Sequence, residues 1–95
     1  MPLQGGYGSV LVSYGAFMIN SDSAQPPYRQ LAAILRGKIA AGEITARLPG
    51  ERALADEYQV AMGTVRKAIA VLRDEDGIVE TTPGWGTYVK PQQRD

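Results

Sequence analysis

The sequence contains no cysteine and no histidine. Disulfides and thiolate metal sites are therefore excluded. So are the usual zinc sites, imidazole acid–base catalysis and Ser-His-Asp triads. Long apolar runs are missing too. Val10, Leu11 and Val12 form a patch too short, and too interrupted by nearby glycines, to span a membrane. The basic start of a secretory signal is absent. Nor is there an excess of either charge: Lys plus Arg is 10 and Asp plus Glu is 10. Over residues 26–90, nine basic and eight acidic side chains leave a net of +1. A nucleic-acid-binding domain usually carries a clear basic excess. Any affinity for DNA here must come from sorting the bases onto one face and the acids elsewhere. Carboxylate catalysis has little to work with, and no enzyme is expected. Glu51, Asp56 and Glu57 fit a solvated helix face. Asp74, Glu75 and Asp76 sit at a helix end without an apolar pocket to raise a pKa, where the helix dipole disfavours them.

What is present suits one small domain with a modest core. The stretch Leu48 to Leu72 reads as two helices and a tight turn, the first about 51–58 and the second about 62–74. Leu54, Ala55, Tyr58 and Val60 line one side of the first. Val65, Ala68, Ile69 and Leu72 recur at the spacing of an amphipathic helix in the second, whose opposite face carries Thr64, Arg66, Lys67 and Arg73. A short helix, a tight turn and a helix with a basic face form a helix-turn-helix that reads DNA.

The rest of the chain extends this motif. Residues 1–25 contain no Lys or Arg and are rich in Gly and Ser. Two readings fit them: a flexible, mostly disordered arm that can add a strand to a partner, or residues upstream of a natural start at Met18. Pro26-Pro27 opens a helix whose stripe is Tyr28, Leu31, Leu35 and Ile39, with Gly42 as its C-terminal cap. Ile44 to Leu48 is a short extended link, and Gly50 takes the N-cap of the next helix. Gly77 ends the third helix. Strand residues from Ile78, a Pro83-Gly84-Trp85-Gly86 turn and a return strand 87–90 make a β-hairpin. The expected fold is mainly α with a small β-hairpin, a winged helix-turn-helix of three helices plus wing. The expected organisation is an arm over 1–25, the DNA-binding domain over 26–90 and a tail over 91–95.

Five blocks, in order, resemble the N-terminal domain of GntR-family bacterial transcription regulators: Tyr28-Arg29-Gln30, Gly42-Glu43-Ile44, Leu48-Pro49-Gly50-Glu51-Arg52-Ala53-Leu54-Ala55, Gly63-Thr64-Val65-Arg66-Lys67-Ala68 and Gly84-Trp85-Gly86-Thr87-Tyr88-Val89. The resemblance covers about 27–89. It implies that Arg52 contacts DNA from the start of the second helix. It implies that Met62, Gly63, Thr64 and Arg66 stand at recognition-helix positions, with Lys67 beside them as a phosphate contact. It further implies that Gly84 lets the wing backbone approach the minor groove, with Trp85 next to it. Each residue also has a plainer reading: Arg52 as an ion pair with Asp56, Arg66 as a solvated surface charge, Thr64 as a helix starter, Trp85 as folded back on the hairpin.

The chain departs from the family pattern in several places. Ala61 stands where Ser or Thr usually caps the third helix, and Met62 where Arg is frequent. The link 44–48 is two residues short, and Asp76 is one residue extra before Gly77. The effector-binding and dimerising domain usual in the family does not follow the wing. The resemblance therefore implies a cytoplasmic regulator whose partner is an operator in double-stranded DNA, with no cofactor, no metal, no membrane and no small-molecule effector site in this chain. A homodimer is what an operator of two half-sites, about 34 Å apart per helical turn, would require. The alternative is a winged-helix protein-interaction module, or a truncated fragment of a longer regulator, with little DNA affinity.

Overall fold

A computed structural model describes residues 19–20 and 22–91. The expectations for 1–18 and for the tail 92–95 lie outside the described residues. Three helices and one antiparallel hairpin follow in the expected order: α1 Pro27–Ala40, α2 Glu51–Tyr58, α3 Met62–Ala70, β1 Val79–Thr82 and β2 Gly86–Val89. Pro26 occupies the N-cap of α1 and Pro27 its first turn, where a missing N–H costs nothing. At the other end Gly42 adopts φ +79°. Its N–H donates to the Ile39 carbonyl (3.1 Å), and the Glu43 N–H donates to Lys38 (2.8 Å). This pair of bonds is a Schellman stop, and glycine tolerates the left-handed backbone that it needs.

The core is built from the stripes that the periodicity marks. Leu31 and Leu35 of α1, Leu54 of α2 and Val65 of α3 are all fully buried. Leu72, just beyond α3, joins them, and Val79 carries the core into the hairpin. Each such Leu or Val is worth about 1.5–3 kcal/mol of burial. Val60, Tyr28, Ile34 and Ile39 are partly buried around it. At the N-terminal side Ile19 packs on the core, and Asn20 exchanges two hydrogen bonds with the Gln30 side chain (2.8 and 2.7 Å).

The third helix differs from a continuous α-helix over 62–74. After Ala70 it becomes a π-helical turn, Val71–Glu75, with the Asp76 N–H donating to the Val71 carbonyl at 3.0 Å. A π turn takes up one more residue than an α turn before the chain returns to the same face. The π turn takes in the residues up to Asp76 while Leu72 stays buried and Gly77 (φ +67°) ends the helix. The acidic end is also accounted for. Glu75 accepts from Arg29 (2.9 Å) and Asp76 from Arg36 (2.7 Å), both arginines of α1, while Asp74 pairs with Arg73 (2.9 Å). The hydrogen bond from Arg73 holds the Asp74 carboxyl below the usual carboxylate range.

In the hairpin Val79 faces Val89 and Thr82 faces Gly86. The Trp85 N–H donates to the Thr82 carbonyl (2.9 Å), and Gly84 at φ +80° supplies the left-handed residue that follows Pro83. The link before α2 is not simply extended. The Leu48 N–H donates to Thr87 (2.9 Å), the Val89 N–H donates to Ala46 (2.7 Å), and Arg47 bridges Tyr88. The link thus forms an isolated β-bridge along the outer edge of β2. It fastens the wing to the N-terminus of α2.

Candidate nucleic-acid interface

Ala61 begins α3 in extended geometry (φ −70°, ψ 154°) without a side-chain cap, and the tight turn before it is made by Gln59 in the left-handed region. The turn aims the exposed face of α3 away from the core. Arg66 lies on that face, and its Nε is 3.0 Å from Glu51 Oε1 at the start of α2. Arg66 is therefore oriented by a carboxylate rather than simply solvated. Lys67 projects beside it with Nζ 5.7 Å from the Tyr28 ring centre, at the outer limit of a cation–π contact. Thr64 is half-buried and Gly63 exposed with open space around it. Met62 turns partly inward and packs against the core.

Arg52 points into solvent from the first turn of α2, 83% exposed, with Asp56 at a loose 3.9 Å. Such an exposed pair is worth little and is readily exchanged for another partner. At the wing tip Trp85 is 68% exposed, so it does not fold back on the hairpin. The Tyr88 hydroxyl donates to the Trp85 carbonyl (3.2 Å) and steadies the tip.

Between wing and helices lies a cleft of about 320 Å³. Gly50, Glu51 and Ile69 form one side, and Thr81, Gly84 and Trp85 the other. Two further residues belong to this region and were not singled out from the sequence for DNA contact. Glu51 had the look of a dipole-satisfying surface acid. Arg47 sat in a link whose pairing with β2 no local pattern announces. The fold also sorts the charges. Arg29, Arg36 and Arg73 are engaged by the acids at the end of α3. Arg47, Arg52, Arg66 and Lys67 lie on the helix-turn-helix and wing side, where Arg52 and Arg66 are themselves paired with Asp56 and Glu51 of α2. Among the described residues no group of His, Cys, Asp and Glu could hold a metal, and no helix is long and apolar enough to cross a membrane.

The family model described as "Bacterial regulatory proteins, gntR family" matches residues 27–89. The mannosyl-D-glycerate transport/metabolism system repressor MngR of Escherichia coli is 42% identical over 71 residues, covering 73% of this chain and 29% of that protein. The uncharacterised HTH-type transcriptional regulator YurK of Bacillus subtilis is 43% identical over 75 residues, covering 77% of this chain and 31% of its own length. The chain thus spans about a third of these relatives. Among solved structures, YtrA of Sulfolobus acidocaldarius, a GntR-family transcription factor, matches with a TM-score of 0.72 and 34% identity, over 82% of this chain and 83% of YtrA. The DNA-binding domain of AraR in complex with operator ORX1 matches with a TM-score of 0.67 and 30% identity, over 75% of this chain and 87% of that one.

Proposed function

This chain belongs to the gntR family of bacterial regulatory proteins, and on that premise we propose that it reads an operator in double-stranded DNA to regulate transcription in the cytoplasm. In this reading α3 enters the major groove and the wing lies at the flanking minor groove. Arg66 and Thr64 approach base edges and phosphate, Arg52 and Lys67 grip the backbone, and Gly84 and Trp85 meet the minor groove. Gly63 leaves the start of α3 without a side chain, so backbone can come close. Met62 contributes through its exposed portion only. A single domain covers one half-site, so two copies of the domain occupy a two-half-site operator.

One observation carries this reading: the same helix-turn-helix and wing occur in a domain solved on its operator. The charge sorting supports it, since the acids at the end of α3 are tied to α1.

The test is duplex binding from pooled random DNA at two salt concentrations, for the parent and an Arg52→Ala/Arg66→Ala variant. Trp85 is the only tryptophan, so its emission reports the wing directly. The parent should bind, weaken steeply with salt and change Trp85 emission, while the variant loses binding. If the parent binds no duplex at low salt, the operator reading fails. Salt-insensitive capture of a protein partner would then favour an interaction module.

A further inference from the structure

Six ion pairs join the charged side chains of the described residues. Arg29, Arg36, Arg52, Arg66 and Arg73 all take part. Arg47 does not: among the described arginines it alone has no carboxylate partner. Its backbone bridges Tyr88, and its solvent-exposed side chain lies against Gly86. A Cβ at Gly86 would meet Arg47 Nε at 2.9 Å, and Gly86 has φ +118°, a backbone that side chains rarely adopt. Glycine at 86 is thus favoured by its backbone, and with no side chain there the Arg47 guanidinium rests against it. Glu51, the one acid in the same cleft, is engaged by Arg66 at 3.0 Å. Across the hairpin the Thr81 and Thr87 hydroxyls share one hydrogen bond (3.1 Å), which leaves one hydroxyl proton free to donate.

We propose that Arg47, seated over Gly86, grips a DNA phosphate in the cleft between the wing and the helix-turn-helix, with the Thr81–Thr87 hydroxyls beside it. The inference rests on the operator reading and deepens it, naming the contact by which the wing is locked to the sugar-phosphate backbone. An exposed guanidinium with no carboxylate partner, beside two threonine hydroxyls, suits a phosphodiester, which accepts its parallel N–H donors. The cleft opens between two elements that both face the duplex. On the operator reading, a strand running from the groove read by α3 to the groove under the wing would pass beside it. A phosphate contact positions the protein and carries no base preference, so Arg47 contributes affinity and salt dependence but not discrimination.

The experiment measures binding to pooled random duplex and to a duplex selected from it, across a salt series. The proteins are the parent, Arg47→Gln, Arg47→Lys, Arg36→Gln and Arg66→Ala. Arg36→Gln removes the same charge from the far side, where Arg36 pairs with Asp76, and so controls for net charge alone. Arg47→Gln should lower the slope of log K against log salt by about 0.9, which corresponds to a roughly fivefold to tenfold weaker affinity near 0.1 M salt. The preference for the selected duplex and the melting temperature should be unchanged. Arg47→Lys should restore most of the slope, and Arg36→Gln should behave as the parent. If Arg47→Gln keeps the parental slope, or falls no further than Arg36→Gln, the phosphate contact is overturned while the operator reading stands. If the parent and every variant fail to bind at low salt, both are overturned together.

Discussion

Arg66 meets any DNA already paired with Glu51 at 3.0 Å, in a pair 61% and 41% exposed. Two consequences oppose each other. The carboxylate repels phosphate, and it also limits the directions in which the guanidinium can point. Arg can bind the two acceptors of guanine only if its fork is presented in the right plane. We therefore expect Glu51→Gln to raise affinity for random duplex, roughly fivefold at low salt, because one acid is removed beside the backbone. The ratio of selected to random binding should fall at the same time, because Arg66 loses its orientation. Equal changes for both duplexes would show that Glu51 acts only as a charge. Trp85 and Arg52 are simpler at this scale. Both are exposed and neither is tied firmly to the fold, so their value lies in what they contact.

The helix assigned to recognition in the proposed reading, α3, is locally weak at its start and irregular at its end. Ala61 holds the extended N-cap geometry and its carbonyl accepts from the Thr64 N–H (3.0 Å), but it has no side-chain acceptor, and Gly63 follows in the first turn. Ala61→Ser should supply that acceptor without disturbing the backbone. Its expected gain is about 1 kcal/mol, or about 4–8 °C in melting temperature. A melting curve decides it, and an unchanged midpoint would mean that solvent already satisfies those donors. At the far end the π turn keeps both ends of the helix useful. It leaves Leu72 in the core, and it puts Glu75 and Asp76 within reach of α1. The neighbouring link 46–48 shows the same economy, since its two hydrogen bonds to β2 make the wing part of the core-bearing structure rather than a free loop.

At the scale of the whole molecule, stability rests on one core shared by all three helices and the hairpin, with surface ion pairs as minor contributors. Tyr58 is a titratable member of that core, 5% exposed. Burial raises its phenol pKa, and the charges of Glu57 and Glu43 add to the rise. The folded state thus holds this proton more tightly than the unfolded chain. Stability from Tyr58 is fully present below the ordinary tyrosine pKa of about 10 and is lost as pH rises above it toward the folded value. Tyr58→Phe keeps the ring and removes the ionisation. Denaturant unfolding at neutral and strongly alkaline pH should show the variant losing less stability than the parent over that interval. Equal losses would place the alkaline sensitivity elsewhere.

The helices, their caps and the wing turn were legible in the sequence because each depends on residues a few positions apart. Leu31 and Leu35 declare a buried stripe, Gly42 and Gly77 declare stops, and Pro83-Gly84 declares a turn. For the proposed interface, the face carrying Thr64 and Arg66 follows from helical spacing, whereas Arg52 was singled out only through the family resemblance. Other features depend on residues far apart in the chain. Arg29 meets Glu75 and Arg36 meets Asp76 across 46 and 40 positions, and Glu51 reaches Arg66 across 15. No periodicity encodes such pairs. The acidic end of the third helix therefore looked unexplained, and Glu51 looked like a solvated acid. Arg47 is the clearest case. Its neighbours in sequence mark it only as part of a link, and its place over Gly86 exists only once the link pairs with the return strand. Local spacing determined which elements form and which faces they bury. Only the tertiary structure decided which charges neutralise one another, and hence which cation the fold leaves unpaired in the cleft beside the wing.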